Sequence, residues 1–83
     1  MSIRDILHDV RKTVGVRQTV KAVRRGELER VFAARDADPA VMRDLLDLCA
    51  ANGVEVVWVD TMKELGEACG IEVGASSCGL FRG

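Results

Sequence analysis

Between Arg11 and Arg25 the chain carries six basic residues and no acidic one, in a protein of 83 residues whose formal net charge is -1. Half of its twelve Lys and Arg side chains fall within these fifteen positions. Cations gathered without local counter-ions suit one chemistry above others, the attraction of a polyanion. An ordinary solvated helix face is the default reading of such a run. Three features point away from it. Acids are abundant elsewhere and excluded here. Gly15 stands where a helix would begin, so backbone N–H groups are open to a phosphate. Gln18 adds a donor and an acceptor beside the cations, which base-edge readout uses and a plain phosphate clamp does not.

On a helix at about 100° per residue, Arg17, Lys21, Arg24 and Arg25 share one arc of roughly 100°, and Val16, Val20 and Val23 form a separate apolar one. Gln18 lies at the edge of the basic arc near the helix start. The valines then dock the helix and leave the charges in water. A second candidate patch is CGIEVGA, residues 69–75. Ile71 and Val73 are apolar residues in a glycine-flanked turn, free either to fold under the sheet or to pack on an unstacked base. Glu72 between them must point away from phosphates or accept from a base amino group.

Other chemistries lack their parts. His8 is the single histidine, and Cys49, Cys69 and Cys78 are widely spaced with no C-x-x-C pair. They read as small buried hydrophobes rather than metal ligands or a disulfide framework. No phosphate-cradling P-loop motif occurs, and the carboxylates lie mainly on expected helix faces. No catalytic centre, metal or cofactor is expected.

The elements that position these residues alternate along the chain. Ile3, Ile6, Leu7 and Val10 have helical spacing, and Lys12 to Val14 make a brief strand. Gly15 opens a helix over 16–25 that Gly26 stops. Residues 30–35, RVFAAR, form a short strand. Asp38-Pro39 caps and starts a helix with the apolar stripe Val41, Met42, Leu45, Leu48 and Cys49, ended by Asn52-Gly53. VEVVWV, residues 54–59, has the composition of a central strand covered on both faces. Thr61 and Glu64 match a capping box for a helix ending at Cys69-Gly70. Ala75 to Phe81 make a last strand. About four strands and four helices in alternation imply an α/β domain spanning 1–83, with helices on both faces of a small mixed sheet. No apolar run approaches the length of a membrane span. The first dozen residues mix acids and bases, unlike a secretory signal, so a cytoplasmic protein is expected.

With these segments in place, GVRQTVKAVRRG, ARDADP and TMKELGEACGIEVGA resemble, in order and spacing, the kink-turn RNA-binding ribosomal protein family of the archaeal L7Ae type. The resemblance covers nearly the whole chain and is nearest to the family's short bacterial YbxF/YlxQ-like members. It implies a three-layer α/β/α sandwich that binds kink-turns, RNA bends built on tandem sheared G·A pairs, with structured RNA and the ribosome as partners and a monomeric state. By the motif G-x-x-[QE]-T-x-K, Gln18 and Lys21 would address guanine edges, and Gly15 and Arg17 the backbone and adjacent bases. Val16, Arg24 and Arg25 complete the helical part of that face. Ile71, Glu72 and Val73 correspond to the loop over an extruded nucleotide. Many members carry Thr after the motif glycine, whereas here Val16 lacks a hydroxyl that could cap the helix or touch RNA. The rival reading is a protein-interaction module whose basic helix meets an acidic partner.

Overall fold

A computed structural model describes residues 2–83. Its elements in chain order are α1 (Ile3–Leu7), β1 (Lys12–Val14), α2 (Val16–Arg24), β2 (Leu28–Ala34), α3 (Pro39–Asn52), β3 (Glu55–Val59), α4 (Met62–Cys69) and β4 (Ser77–Phe81). The strands form one mixed sheet in the order β1-β4-β2-β3. β4 runs antiparallel to both neighbours, while β2 and β3 are parallel, as the intervening helix requires. α2 packs with α3, and α1 with α4, on opposite faces of the sheet, giving the α/β/α layering.

Helix ends follow local chemistry. The Asp38 carboxylate accepts from the Ala40 N–H at 2.9 Å, with Pro39 behind it. Gly53 and Gly70 end α3 and α4 in the left-handed conformation that a side chain would strain. Of the box foreseen at α4, the Thr61 hydroxyl accepting from the Glu64 N–H forms. The reciprocal box forms instead at α1, between Ser2 and Asp5. α1 ends before Val10, which is exposed rather than part of an apolar stripe. Val41 likewise faces water, while its neighbour Met42 in the same turn of α3 enters the core.

Two strands exchange the roles their compositions suggest. VEVVWV is an edge strand: β3 pairs with β2 alone, and Trp58 is 43% exposed with the Arg35 guanidinium 5.6 Å from its ring centroid. β4, with its serine and glycine, lies between β1 and β2. Small residues allow that position. A methyl group on Gly79 would collide with the Leu28 side chain and would sit 2.6 Å from the Thr13 hydroxyl. β2 starts at Leu28, two residues before the expected boundary, and most of it is buried, with Val31, Phe32, Ala33 and Ala34 all in the core.

Leu7, Val23, Leu45 and Leu65 close this core from the helices. The three cysteines are free and buried within it. Burial pushes the Cys49 thiol above its ordinary value. A hydrogen bond between Cys69 and Cys78 lowers the former and raises the latter.

Ser77 is fully buried, and its hydroxyl has no hydrogen-bond partner among the described residues. An unpartnered buried hydroxyl is a net cost, so Ser77→Ala is expected to raise stability by about 1 kcal/mol. A higher denaturant midpoint at unchanged m would show it, and a lower one would reveal a missing partner.

Candidate nucleic-acid interface

β1 and β2 end, and β4 begins, at one end of the sheet, and there the two candidate segments converge. Gly15 turns the chain from β1 into α2 with φ +91°, a conformation that disfavours any side chain. Its N–H donates to the Ser77 carbonyl at 2.8 Å, fastening the turn to β4. Its carbonyl accepts twice, from the Thr19 N–H at 3.1 Å and the Thr19 hydroxyl at 2.7 Å. With the Thr19 proton used on Gly15, the hydroxyl of Thr13 must be the donor in the buried Thr13–Thr19 contact of 2.8 Å. Neither threonine was singled out by charge or exposure, yet together they set where α2 starts. Thr19 was signalled as the Thr inside the G-x-x-Q-T-x-K motif, whereas Thr13 lies before it and had no such signal.

α2 has no side-chain cap at its N-terminus, because its N-cap residue is Gly15, and Val16 after it brings no hydroxyl. Its first-turn N–H groups therefore face outward without a side-chain acceptor, carrying the positive end of the helix dipole. Arg17, Gln18, Lys21, Arg24 and Arg25 are all exposed, while Val16 and Val20 are half-buried against the core and Val23 is fully buried. Of the six cations from Arg11 to Arg25, only Arg25 forms an ion pair among the described residues, a long one of 3.9 Å to Glu27. The Gln18 side chain folds back, its Oε1 accepting from the Val14 N–H at 3.3 Å. That leaves the amide N–H2 to donate outward, so the side chain both braces the turn and keeps a donor for a ligand.

The second segment arrives from the other helical layer. The Ala75 N–H donates to the Met62 carbonyl and the Ile71 N–H to the Gly66 carbonyl, each at 3.0 Å. These bonds fold residues 70–75 down against α4. Gly66 is buried on that helix, and a methyl there would strike the Val73 carbonyl oxygen. The loop resolves the two fates open to its apolar residues by splitting them. Ile71 is half-buried against the core, and Val73 is 70% exposed. Glu72 is exposed beside Val73. Asp36, from the ARDADP segment, accepts from the Met62 N–H at 2.8 Å and so ties the start of α4 to the β2–α3 turn. Sequence reading had assigned Asp36 no role.

An α/β/α sandwich whose uncapped helix carries exposed cations beside a loop with an exposed valine has the charge to attract a polyanion. The chain belongs to the ribosomal protein L7Ae/L30e/S12e/Gadd45 family, whose pattern matches residues 3–82. It is 45% identical over 68 residues to an RNA-binding protein of Bacillus pumilus (strain SAFR-032), covering 82% of this chain and 83% of that one. It is 35% identical over 82 residues to the RNA-binding protein YbxF of Geobacillus stearothermophilus, covering 99% of this chain and all of that one. Among solved structures, a Giardia lamblia 15.5kD RNA binding protein superposes with a TM-score of 0.82 at 30% identity. That match covers 87% of this chain and 61% of the other.

Two substitutions test how the site is held. Thr19→Val keeps the volume but strands the Thr13 hydroxyl and removes a donor from Gly15, and should cost about 1–3 kcal/mol in chemical unfolding. An unchanged midpoint would show that the threonine pair does not hold the turn. Gly66→Ala should displace the loop, seen as faster hydrogen exchange at the Ile71 and Ala75 amides with the β2 amides unaffected. Equal exchange in both proteins would remove Gly66 as the support of that loop.

Proposed function

We propose that this protein is a non-catalytic RNA-binding protein that recognises kink-turns and stabilises their bent form. The observation that carries the reading is the α2 face. Of its cations only Arg25 has an ion-pair partner among the described residues, a long one; the helix N-terminus lacks a side-chain cap, and exposed Val73 stands on the loop at the same end of the sheet. That combination suits a ligand that is anionic, grooved and partly unstacked. The RNA-binding relatives and the family's ribosomal members support it.

On this reading α2 enters the widened major groove at the sheared G·A pairs. Lys21 and the outward amide of Gln18 donate to guanine edges, and Arg17 and the first-turn N–H groups hold phosphates. Val73 packs on the extruded base, with Ile71 anchoring the loop beneath it. Glu72 remains exposed and can accept from a base amino group. Converging strands bring phosphates together, and the cations offset that repulsion. Binding to the bent conformer alone shifts the RNA toward it. The protein acts as a cytoplasmic monomer on ribosomal or riboswitch RNA, within a single domain over 1–83.

The test compares a kink-turn RNA with the same RNA whose sheared G·A pairs are replaced by Watson–Crick pairs, at about 0.1 M salt, where surface charges are substantially screened. The intact motif should bind far more tightly. Lys21→Ala should cost roughly 1–3 kcal/mol and erode the preference, and Arg24→Ala should weaken both RNAs alike. Weak, equal, salt-sensitive binding to both RNAs would reject kink-turn recognition and favour an acidic protein partner for the basic helix.

A further inference from the structure

The cationic surface does not end at the tip of α2. Along the flank that faces β1 runs an open cleft of about 300 Å³, lined by Arg11, Lys12, Gln18, Lys21, Arg25 and Phe81. Gln18 and Lys21 belong to the site described above, whereas Arg11, Arg25 and Phe81 stand at the far end of the helix. From Gln18 to Arg25 the cleft follows α2 for about 10 Å away from the tip. The Arg11 guanidinium lies 4.4 Å from the centroid of the Phe81 ring. One face of its plane is therefore held by the ring, and the remaining face and the donor fork stay open. A stacked arginine is ordered before any ligand arrives, so less rotamer freedom is lost on binding. Lys12 is turned toward the backbone, its ammonium donating to the His8 and Val10 carbonyls at 3.3 and 3.4 Å. Glu27 is the single carboxylate lining the cleft, and its long contact to Arg25 leaves the guanidinium largely uncommitted.

The cleft is open along its length and four of its nine lining residues are cationic, which suits an extended anion better than an enclosed small molecule. We propose that this cleft is a second RNA contact, taking the phosphate backbone of a duplex stem that continues beyond the kink. It rests on the kink-turn reading above and extends it. Arg11, pre-set on Phe81, and Arg25 clamp backbone phosphates at the far end, and Lys21 links this track to the base-reading tip. The cleft thus explains why the charge run starts at Arg11, before α2 begins.

The test uses three RNAs with the same intact kink-turn. One has both stems cut short, and each of the others has one stem lengthened by about ten base pairs, roughly one helical turn. Wild-type protein should bind one of the lengthened RNAs about ten-fold more tightly than the short one. The R11A variant should lose most of that gain and show a salt dependence shallower by about one on that RNA, for the one phosphate contact removed. Its affinity for the short RNA should stay within about three-fold of wild type, since Arg11 lies outside α2 and the tip is untouched. R11K keeps the charge but loses the planar stack, and should recover only part of the gain. Equal loss on the short and the lengthened RNAs, or no loss on either, would overturn the stem contact. Failure of the kink-turn reading has a separate signature, because wild type would then not distinguish the short kink-turn from its Watson–Crick counterpart. Arg11 is exposed, so matching thermal unfolding of R11A checks that the fold is intact.

Discussion

A single residue's backbone joins the parts of this molecule that its proposed role needs together. The Gly15 N–H is bonded to β4, and its carbonyl receives both the first helical hydrogen bond of α2 and the Thr19 hydroxyl. The strand therefore becomes a helix at a point pinned from three directions. With φ at +91°, the turn needs a residue without Cβ. Thr13 and Thr19 seal the joint inside the protein, so the direction of α2 depends on buried polar bonds as much as on its valines. The exposed side chains inherit their placement from that joint.

The charge on α2 has a cost that the fold absorbs elsewhere. Like charges one turn apart repel by a few tenths of a kcal/mol per pair, and no acid one helical turn away relieves them. Burial of Ala22 and Val23, with Val16 and Val20 half-covered, keeps the helix seated despite this. Salt bridges form elsewhere, as between Arg30 and Glu55 at 2.7 Å across β2 and β3. Acids are thus available to this fold, yet none stands among residues 11–25, where the proposed interface lies.

The face is assembled from segments some fifty residues apart in sequence. Gly66 permits the close approach of the loop to α4, and Asp36 orients the start of that helix from across the sheet edge. The hydrogen bond from Gly15 to Ser77 then brings the end of the loop segment against the beginning of α2. Rigid main-chain bonds at both segments leave few degrees of freedom to order when a ligand binds. Only long exposed side chains such as Arg17 and Lys21 remain to be fixed.

Much of this was readable before any coordinates. Helix caps and stops are local chemistry, so Gly15, Asp38-Pro39, Gly53 and Gly70 marked their elements directly in the sequence. The basic arc of α2 follows from spacing alone, and so does its separation from the valines. Strand position in the sheet was not local. VEVVWV looked central because apolar content was taken for coverage, yet β4 won the middle because Gly79 fits between Leu28 and Thr13. The loop's two apolar residues, identical in kind, were divided by packing, with Ile71 inward and Val73 outward. The threonine pair and Asp36 act through partners six and twenty-six residues away. The sequence by itself thus determined which residues carry charge, cap helices and permit turns, because those properties belong to a residue and its near neighbours. Tertiary structure alone decided which of them meet, because close packing and the pairing of buried polar groups depend on segments that only the folded chain brings together.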